Sequence, residues 1–461
     1  MRNTLKEWNM KITFYLLAAG LLGVALLETL WIAASAAARR RPVGAALLER
    51  WKNEELFFPH LLPQVRPRVG EALAYAFLVS ELCWSAVGLL IDQAAPGMSE
   101  AWPAVVQAAL SCALVLAKGL GCTEYSGRQL AALAALMGLF ALIVPNVGGY
   151  ANYLCYPVCV IVMFKDVRLA GKLRLALILS LADIAVHAAL SLAGRIPDNL
   201  FGLIDRMGLG YSHPNSLGVA VVTALALYIA LRYSAWRWWD TLVGVAALVF
   251  LYLVPYSRTA VGVAAVMVVL AATSRMCPRV FNTGFCRECL ALSWPVLGVV
   301  SLWMGALYEH IDILSLVNKA LSDRLLFFSY AWNYSGWEWL GTKVDGTVTW
   351  TNIWDVTAWQ ADAALGLHNY HLVDLGYGFL FFMGGPLFLA VLLGGFWLTI
   401  RRLLRSGREN WGLAIMCVGF GFQLVCEHIL LPVFPLALLG IALFGKNQKH
   451  PLSMIKTENR P

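Results

Sequence analysis

His213–Arg232 reads HPNSLGVAVVTALALYIALR, a short polar opening followed by a nearly unbroken apolar run closed by an arginine. Proline suits a first helical turn, because the N–H it lacks would have no intrahelical partner there. At ~1.5 Å of rise per residue, about 20 apolar residues cross the ~30 Å hydrocarbon core of a bilayer. The stretch therefore predicts a transmembrane helix that opens on a cluster of polar groups.

Comparable runs recur near 12–36, 72–93, 101–119, 129–145, 149–164, 173–194, 240–256, 259–274, 288–307, 372–398, 411–428 and 430–445. Twelve to thirteen spans are expected, since 129–145 with 149–164, or 411–428 with 430–445, could each be one broken helix. Composition agrees: 60% of the 461 residues are hydrophobic and 13% charged, where soluble domains carry about 25% charged residues. The expected fold class is an all-α polytopic integral membrane protein, with residues 1–461 forming a single membrane domain. The first run is longer than the core of a signal peptide and lacks a small-residue cleavage site before Arg39, so it is expected to remain as an anchor.

Basic loops resist translocation. Sorting the loops alternately puts 26 of the 35 Lys and Arg residues on one face, which is expected to be cytoplasmic. The net charge of +8 is then explained by contact with anionic membrane lipid, and no nucleic-acid partner is needed. The same sorting makes the one long polar insert, residues 309–371, a large extracytoplasmic loop. None of the ten cysteines falls in that insert, so a disulfide framework is not expected. Cys286 and Cys289, with Cys277 upstream, lack the second pair or histidine that would complete four zinc ligands. Neither a metal nor a cofactor is expected.

Four constellations fall at the outer face. Arg206 precedes His213-Pro214-Asn215 at the start of a span, where backbone N–H groups suit an anion; a helix cap with an interfacial histidine is the plainer reading. Ser257-Arg258-Thr259 sits between two spans, where an arginine is either paired, functional or snorkelling to lipid phosphate. Ser322-Asp323-Arg324 lies early in the insert, with a local Asp–Arg pair as its plainer reading. His368-Asn369 closes the insert where the next apolar run begins.

Together, in content and order, these elements resemble the bacterial O-antigen polymerase and O-antigen ligase superfamily. The resemblance covers roughly residues 200–430 and is carried by those four points. It implies a membrane-embedded glycosyltransferase (GT-C-like) fold in the bacterial cytoplasmic membrane, working without metal on its outer face. The implied substrate is a polyprenyl-diphosphate-linked oligosaccharide, and the implied reaction is polymerisation of its repeat units into surface polysaccharide. Chain-length regulator and flippase proteins are the partners such an enzyme would have. Ligation of the glycan to another acceptor is the alternative within the superfamily.

The residue types suit this chemistry. Without a metal, a leaving diphosphate must be neutralised by guanidinium groups, which match phosphate oxygens with paired hydrogen bonds. Arg258 and Arg324 are the catalytic candidates for that task, with Arg206 binding substrate beside them. Deprotonating an acceptor hydroxyl suits an imidazole, and His368 is the expected base. Asn369 would position it, His213 would stand in for it, and Asn215 would bond sugar or phosphate. The six tryptophans of the insert, Trp332, Trp337, Trp339, Trp350, Trp354 and Trp359, suit sugar stacking or an interfacial belt. A lipid-linked glycan flippase is the rival class. Its signature would be ionisable groups inside spans, for which Glu28, Glu81 and Asp183 with His187 are available.

Overall fold

A computed structural model describes residues 65–94, 101–147, 152–196, 206–211, 213–427 and 433–444, with isolated positions 37, 42 and 45. The expected span at 12–36 lies outside the described residues. Among the described residues the chain is all-helical, without a β-strand. The helices are α1 (Arg66–Ala94), α2 (Ala101–Gly121), α3 (Gly127–Val147), α4 (Asn152–Met163), α5 (Leu169–Leu192), α6 (Pro214–Arg232), α7 (Trp238–Leu253) and α8 (Arg258–Met276). They continue as α9 (Pro278–Phe281), α10 (Gly284–Ala291), α11 (Ser293–Ala306), α12 (Ile313–Ala320), α13 (Arg324–Tyr330), α14 (Val356–Ala364), α15 (Gly376–Ser406), α16 (Trp411–Gln423) and α17 (Val433–Phe444).

Among the described residues, five helices are long and apolar enough to cross a bilayer: α3, α5, α6 with its terminal turn, α8 and α15. Helices α10 and α11 make a sixth if read as one span bent by 48°. Several expected runs are shorter as helices, and α7 has only 16 residues.

The chain divides into two compact units, residues 1–172 with 436–461, and residues 173–435. In the first, α2 packs against α1 and α4. Three lysines are buried at helix ends there, each with a partner. Lys118 Nζ donates to Thr123 Oγ1 at 2.6 Å and to the Lys165 carbonyl at 2.9 Å, Lys165 Nζ reaches the Glu124 carbonyl at 2.6 Å, and Lys172 pairs with Glu71.

In the second unit α8 packs on α6, α7 and α16, and α16 also packs on α6, α11 and α15. All residues of α16 except Phe422 are buried, as expected of a helix apolar on every side. Trp294 of α11 locks this core: its indole stacks on Phe396 of α15 at 3.6 Å and donates to the Cys417 carbonyl of α16 at 2.8 Å. Where lipid is the alternative environment, such interdigitation holds helices together more than removal from water does.

The run read as one span at 372–398 is broken. Gly385 interrupts α15 with φ +78°, and Pro386 follows it. Proline has no N–H to give the carbonyl four residues back, which is that of Phe382. The insert supplies the missing donor, because Thr342 N–H bonds to the Phe382 carbonyl at 2.9 Å. A Cβ on Gly385 would lie 2.1 Å from the Trp339 carbonyl oxygen, so only glycine admits the insert this close. The break and the docking of the insert are one feature.

Candidate active site

The whole candidate site belongs to the second unit. Its first wall is the segment ahead of α6. Leu209 (φ 45°) and Gly210 (φ 86°) turn the chain. Tyr211 then ties it to α5, its hydroxyl donating to Asp183 Oδ2 at 2.7 Å and its ring stacking on His187 at 4.2 Å. His213 is the N-cap of α6, in extended conformation, and its Nδ1 accepts the Asn215 N–H at 3.0 Å. Arg206 is held by two bonds, Nε to the Pro255 carbonyl at 3.1 Å and Nη2 to Asn215 Oδ1 at 2.7 Å.

The turn between α7 and α8 forms the second wall. Tyr256 takes a left-handed φ of 45° and Ser257 N–H reaches back to the Leu251 carbonyl at 3.2 Å. Ser257 Oγ donates to Asn215 Oδ1 at 3.2 Å. Arg258 is exposed, its guanidinium 6.0 Å from the centre of the Tyr256 ring.

Arg324 arrives from the insert as the first residue of α13. Ser322 and Asp323 both adopt left-handed φ, a conformation of appreciable strain for non-glycine residues. The buried side chain of Asn318 stabilises the turn: its Oδ1 accepts the Leu325 and Leu326 N–H groups, and its Nδ2 donates to Asp323 Oδ1. Asp323 is thus bonded to Asn318, and Arg324 turns inward instead. Its Nη1 donates to Thr259 Oγ1 at 3.2 Å and its Nη2 to Glu427 Oε1 at 2.9 Å. Its Nε is buried without a hydrogen bond, with Asp374 Oδ2 at 3.8 Å.

Glu427 is the residue that the sequence reading missed, together with Asp374. Its Oε1 accepts from Arg324 Nη2 and, at 3.0 Å, from Asn215 Nδ2. One continuous chain of polar contacts therefore runs Arg206–Asn215–Glu427–Arg324. Gly376 at the start of α15 makes room for it, since a Cβ there would lie 2.3 Å from the Glu427 carbonyl oxygen. A signal existed in the sequence: both carboxylates sit at the edges of apolar runs, where an unpaired charge is expensive.

Arg206 and Arg324 meet the carboxylates Glu427 and Asp374, and the charge of the exposed Arg258 acts on Arg206, so guanidinium groups outnumber carboxylates by one. The electrostatics reflect this. Burial and then the charges of Arg258 and Arg324 lower the Arg206 pKa, against an opposing pull from Glu427. Burial and then the charges of Arg206 and Arg324 hold His213 below the usual histidine range, with Asp374 acting the other way. His213 is therefore neutral near pH 7 and Arg206 remains charged.

His368 and Asn369 bond within the insert. His368 Nδ1 lies against the Ser335 carbonyl, and its backbone N–H donates to Asp345 Oδ1 at 2.8 Å. Asn369 is fully buried; its Nδ2 donates to Asp362, and its N–H to Ser335 Oγ at 3.0 Å. Asp362 is the hub of the insert, accepting also from Thr347 N–H at 2.6 Å, Thr347 Oγ1 at 2.7 Å and Val348 N–H at 3.1 Å. Arg206, His213, Asn215 and Arg324 thus gather around Glu427 and Asp374, Arg258 stands exposed within electrostatic reach of Arg206, and His368 and Asn369 are anchored in a separate network. Trp359 is buried in the insert core and Trp337, Trp339, Trp350 and Trp354 are exposed.

Comparison of the chain with protein-family models, with curated proteins and with solved structures found no match.

Proposed function

We propose that this chain is a membrane-embedded glycosyltransferase of twelve to thirteen spans and GT-C-like fold. In this reading it polymerises polyprenyl-diphosphate-linked oligosaccharide on the outer face of a bacterial cytoplasmic membrane. The observation that carries the reading is the gathering of Arg206, Arg258 and Arg324 from three separate segments, with the Nε of Arg324 buried and not hydrogen-bonded. A diphosphate bound there would take over that N–H and meet guanidinium groups aligned before it arrives. Fixed charges that need no reorganisation stabilise a leaving group more than solvent does.

The tautomer of His368 supports its place as the base. A carbonyl can only accept, so the ring nitrogen against Ser335, Nδ1, carries the proton. In the neutral ring the lone pair is then on Nε2, as removal of a proton from an acceptor hydroxyl requires. The acceptor oxygen would form a bond to the anomeric carbon as the bond to the diphosphate breaks, the negative charge passing to the arginines and the proton to His368, which the acceptor would have to reach from a network separate from theirs.

The test is chain growth by the purified protein in nanodiscs, with polyprenyl-diphosphate oligosaccharide as the only sugar source. A ladder of products is expected, and Arg324→Ala should slow it by about 10²–10³-fold. Intact donor after prolonged incubation with wild-type protein would overturn the reading. Transfer of one unit to an added lipid acceptor, without a ladder, would make the protein a ligase.

A further inference from the structure

The hydrogen-bond partners of two histidines assign opposite tautomers to their neutral rings. At His368 the ring nitrogen Nδ1 faces a carbonyl, whereas at His213 the same atom accepts the backbone N–H of Asn215 at 3.0 Å. A backbone N–H only donates, so Nδ1 of His213 carries no proton while that bond stands. The one proton of the neutral ring is then on Nε2.

Resting on the proposed glycosyl transfer, we infer that His213 acts as a neutral hydrogen-bond donor, presenting Nε2–H to an oxygen of the substrate diphosphate, and does not act as a base. Several observations support this assignment. His213 lies within the electrostatic reach of Arg206 and Arg324, so it shares the positive site proposed to receive the diphosphate. The groups acting on it are Arg206 on its own segment, Arg324 of α13 and Asp374 ahead of α15. Glu427 and Arg258 act one contact further out, through Asn215 and Arg206. Burial and the two arginines disfavour the imidazolium. Protonation at Nδ1 would also set two N–H groups against each other and break the cap of α6. A neutral imidazole kept so by a helix N-terminus and used as a donor is a known way of stabilising developing oxyanion charge.

The amide side chains separate the two jobs of the ring. Asn at this position can cap α6 but reaches no further, whereas Gln can place an N–H near the position of Nε2 and cannot titrate. In the chain-growth assay, with folding checked by size exclusion and melting, His213→Asn should lower kcat by about 10²–10³-fold, the effect of losing one oxyanion donor. His213→Gln should keep activity within about tenfold of wild type, with no acid limb from this residue in its pH profile. If wild-type protein extends chains while folded His213→Gln is as inactive as folded His213→Asn, the donor assignment is overturned. A wild type that extends nothing refutes the transferase reading alone, because a second measurement does not need turnover. In protein with ¹⁵N-labelled histidine, the His213 signals, identified by their loss in His213→Asn, should show a protonated Nε2 and bare Nδ1 at pH 7. A proton on Nδ1, alone or in the imidazolium, would overturn the inference whatever the assay shows.

Discussion

Arg324 Nη2 and Glu427 Oε1 meet at 2.9 Å although 103 residues separate them in the chain. Both side chains are more than nine-tenths buried. This pair joins the insert to the segment after α16, and Asn215 extends it to the start of α6. Removing one partner of such a pair leaves an uncompensated buried charge and costs about 3–5 kcal/mol. Glu427→Ala is therefore expected to lower the melting temperature in detergent strongly, and Glu427→Gln, which can still accept from Arg324, much less. The double variant Arg324→Ala with Glu427→Ala should be less unstable than the sum of the singles. Strict additivity would show that the two residues are not coupled.

Asp362 sets the pH behaviour of the insert. Burial alone would raise its pKa, but hydrogen bonds from Thr347, Val348 and Asn369 outweigh that and hold the carboxyl below its usual range. The unfolded segment then binds the proton more readily than the folded one, so the stabilisation is complete above about pH 5 and lost as pH falls through the folded value. Limited proteolysis of the insert should accelerate in wild-type protein below about pH 4. Asp362→Asn should be cut faster at neutral pH, by a local loss of about 1–3 kcal/mol, with a flatter acid response. Equal cutting of the two proteins at neutral pH would remove Asp362 as the hub.

Gly385 should tolerate no side chain. Alanine there would carry backbone strain of about 1–3 kcal/mol and would collide with the Trp339 carbonyl. Pro386→Ala should be milder, since it returns an N–H that competes with Thr342 for the Phe382 carbonyl. Thermal unfolding of both variants gives the comparison. A Gly385→Ala protein that melts with wild type would mean that the insert docks elsewhere.

Tyr211 holds the segment that carries Arg206 and His213. Tyr211→Phe keeps the stack on His187 and removes the bond to Asp183, a contact to a charged group worth about 1.5–3 kcal/mol. The expected result is a donor KM raised by about tenfold or more, with kcat less affected. Unchanged KM would show that the α6 cap alone fixes the segment.

The sequence by itself determined the helical membrane class, because long apolar runs broken by short polar ones have few other solutions. It also determined that α6 starts at Pro214, that Arg206 and Arg258 stand near the starts of α6 and α8, and that Arg324 lies early in the insert. Those properties are local, set by backbone hydrogen bonding and by each residue's preference for lipid or water. It did not show that Asn215 joins Arg206 to Glu427, 212 residues away. Nor did it show that Asn369 faces Asp362 inside the insert, or that α15 breaks where Thr342 can replace the missing donor of Pro386. Hydropathy measures what one residue gains from its surroundings and says nothing about which distant residue supplies them. Which charge meets which, and which nitrogen of His368 faces a carbonyl, was decided by the tertiary packing that brings those partners within hydrogen-bond reach.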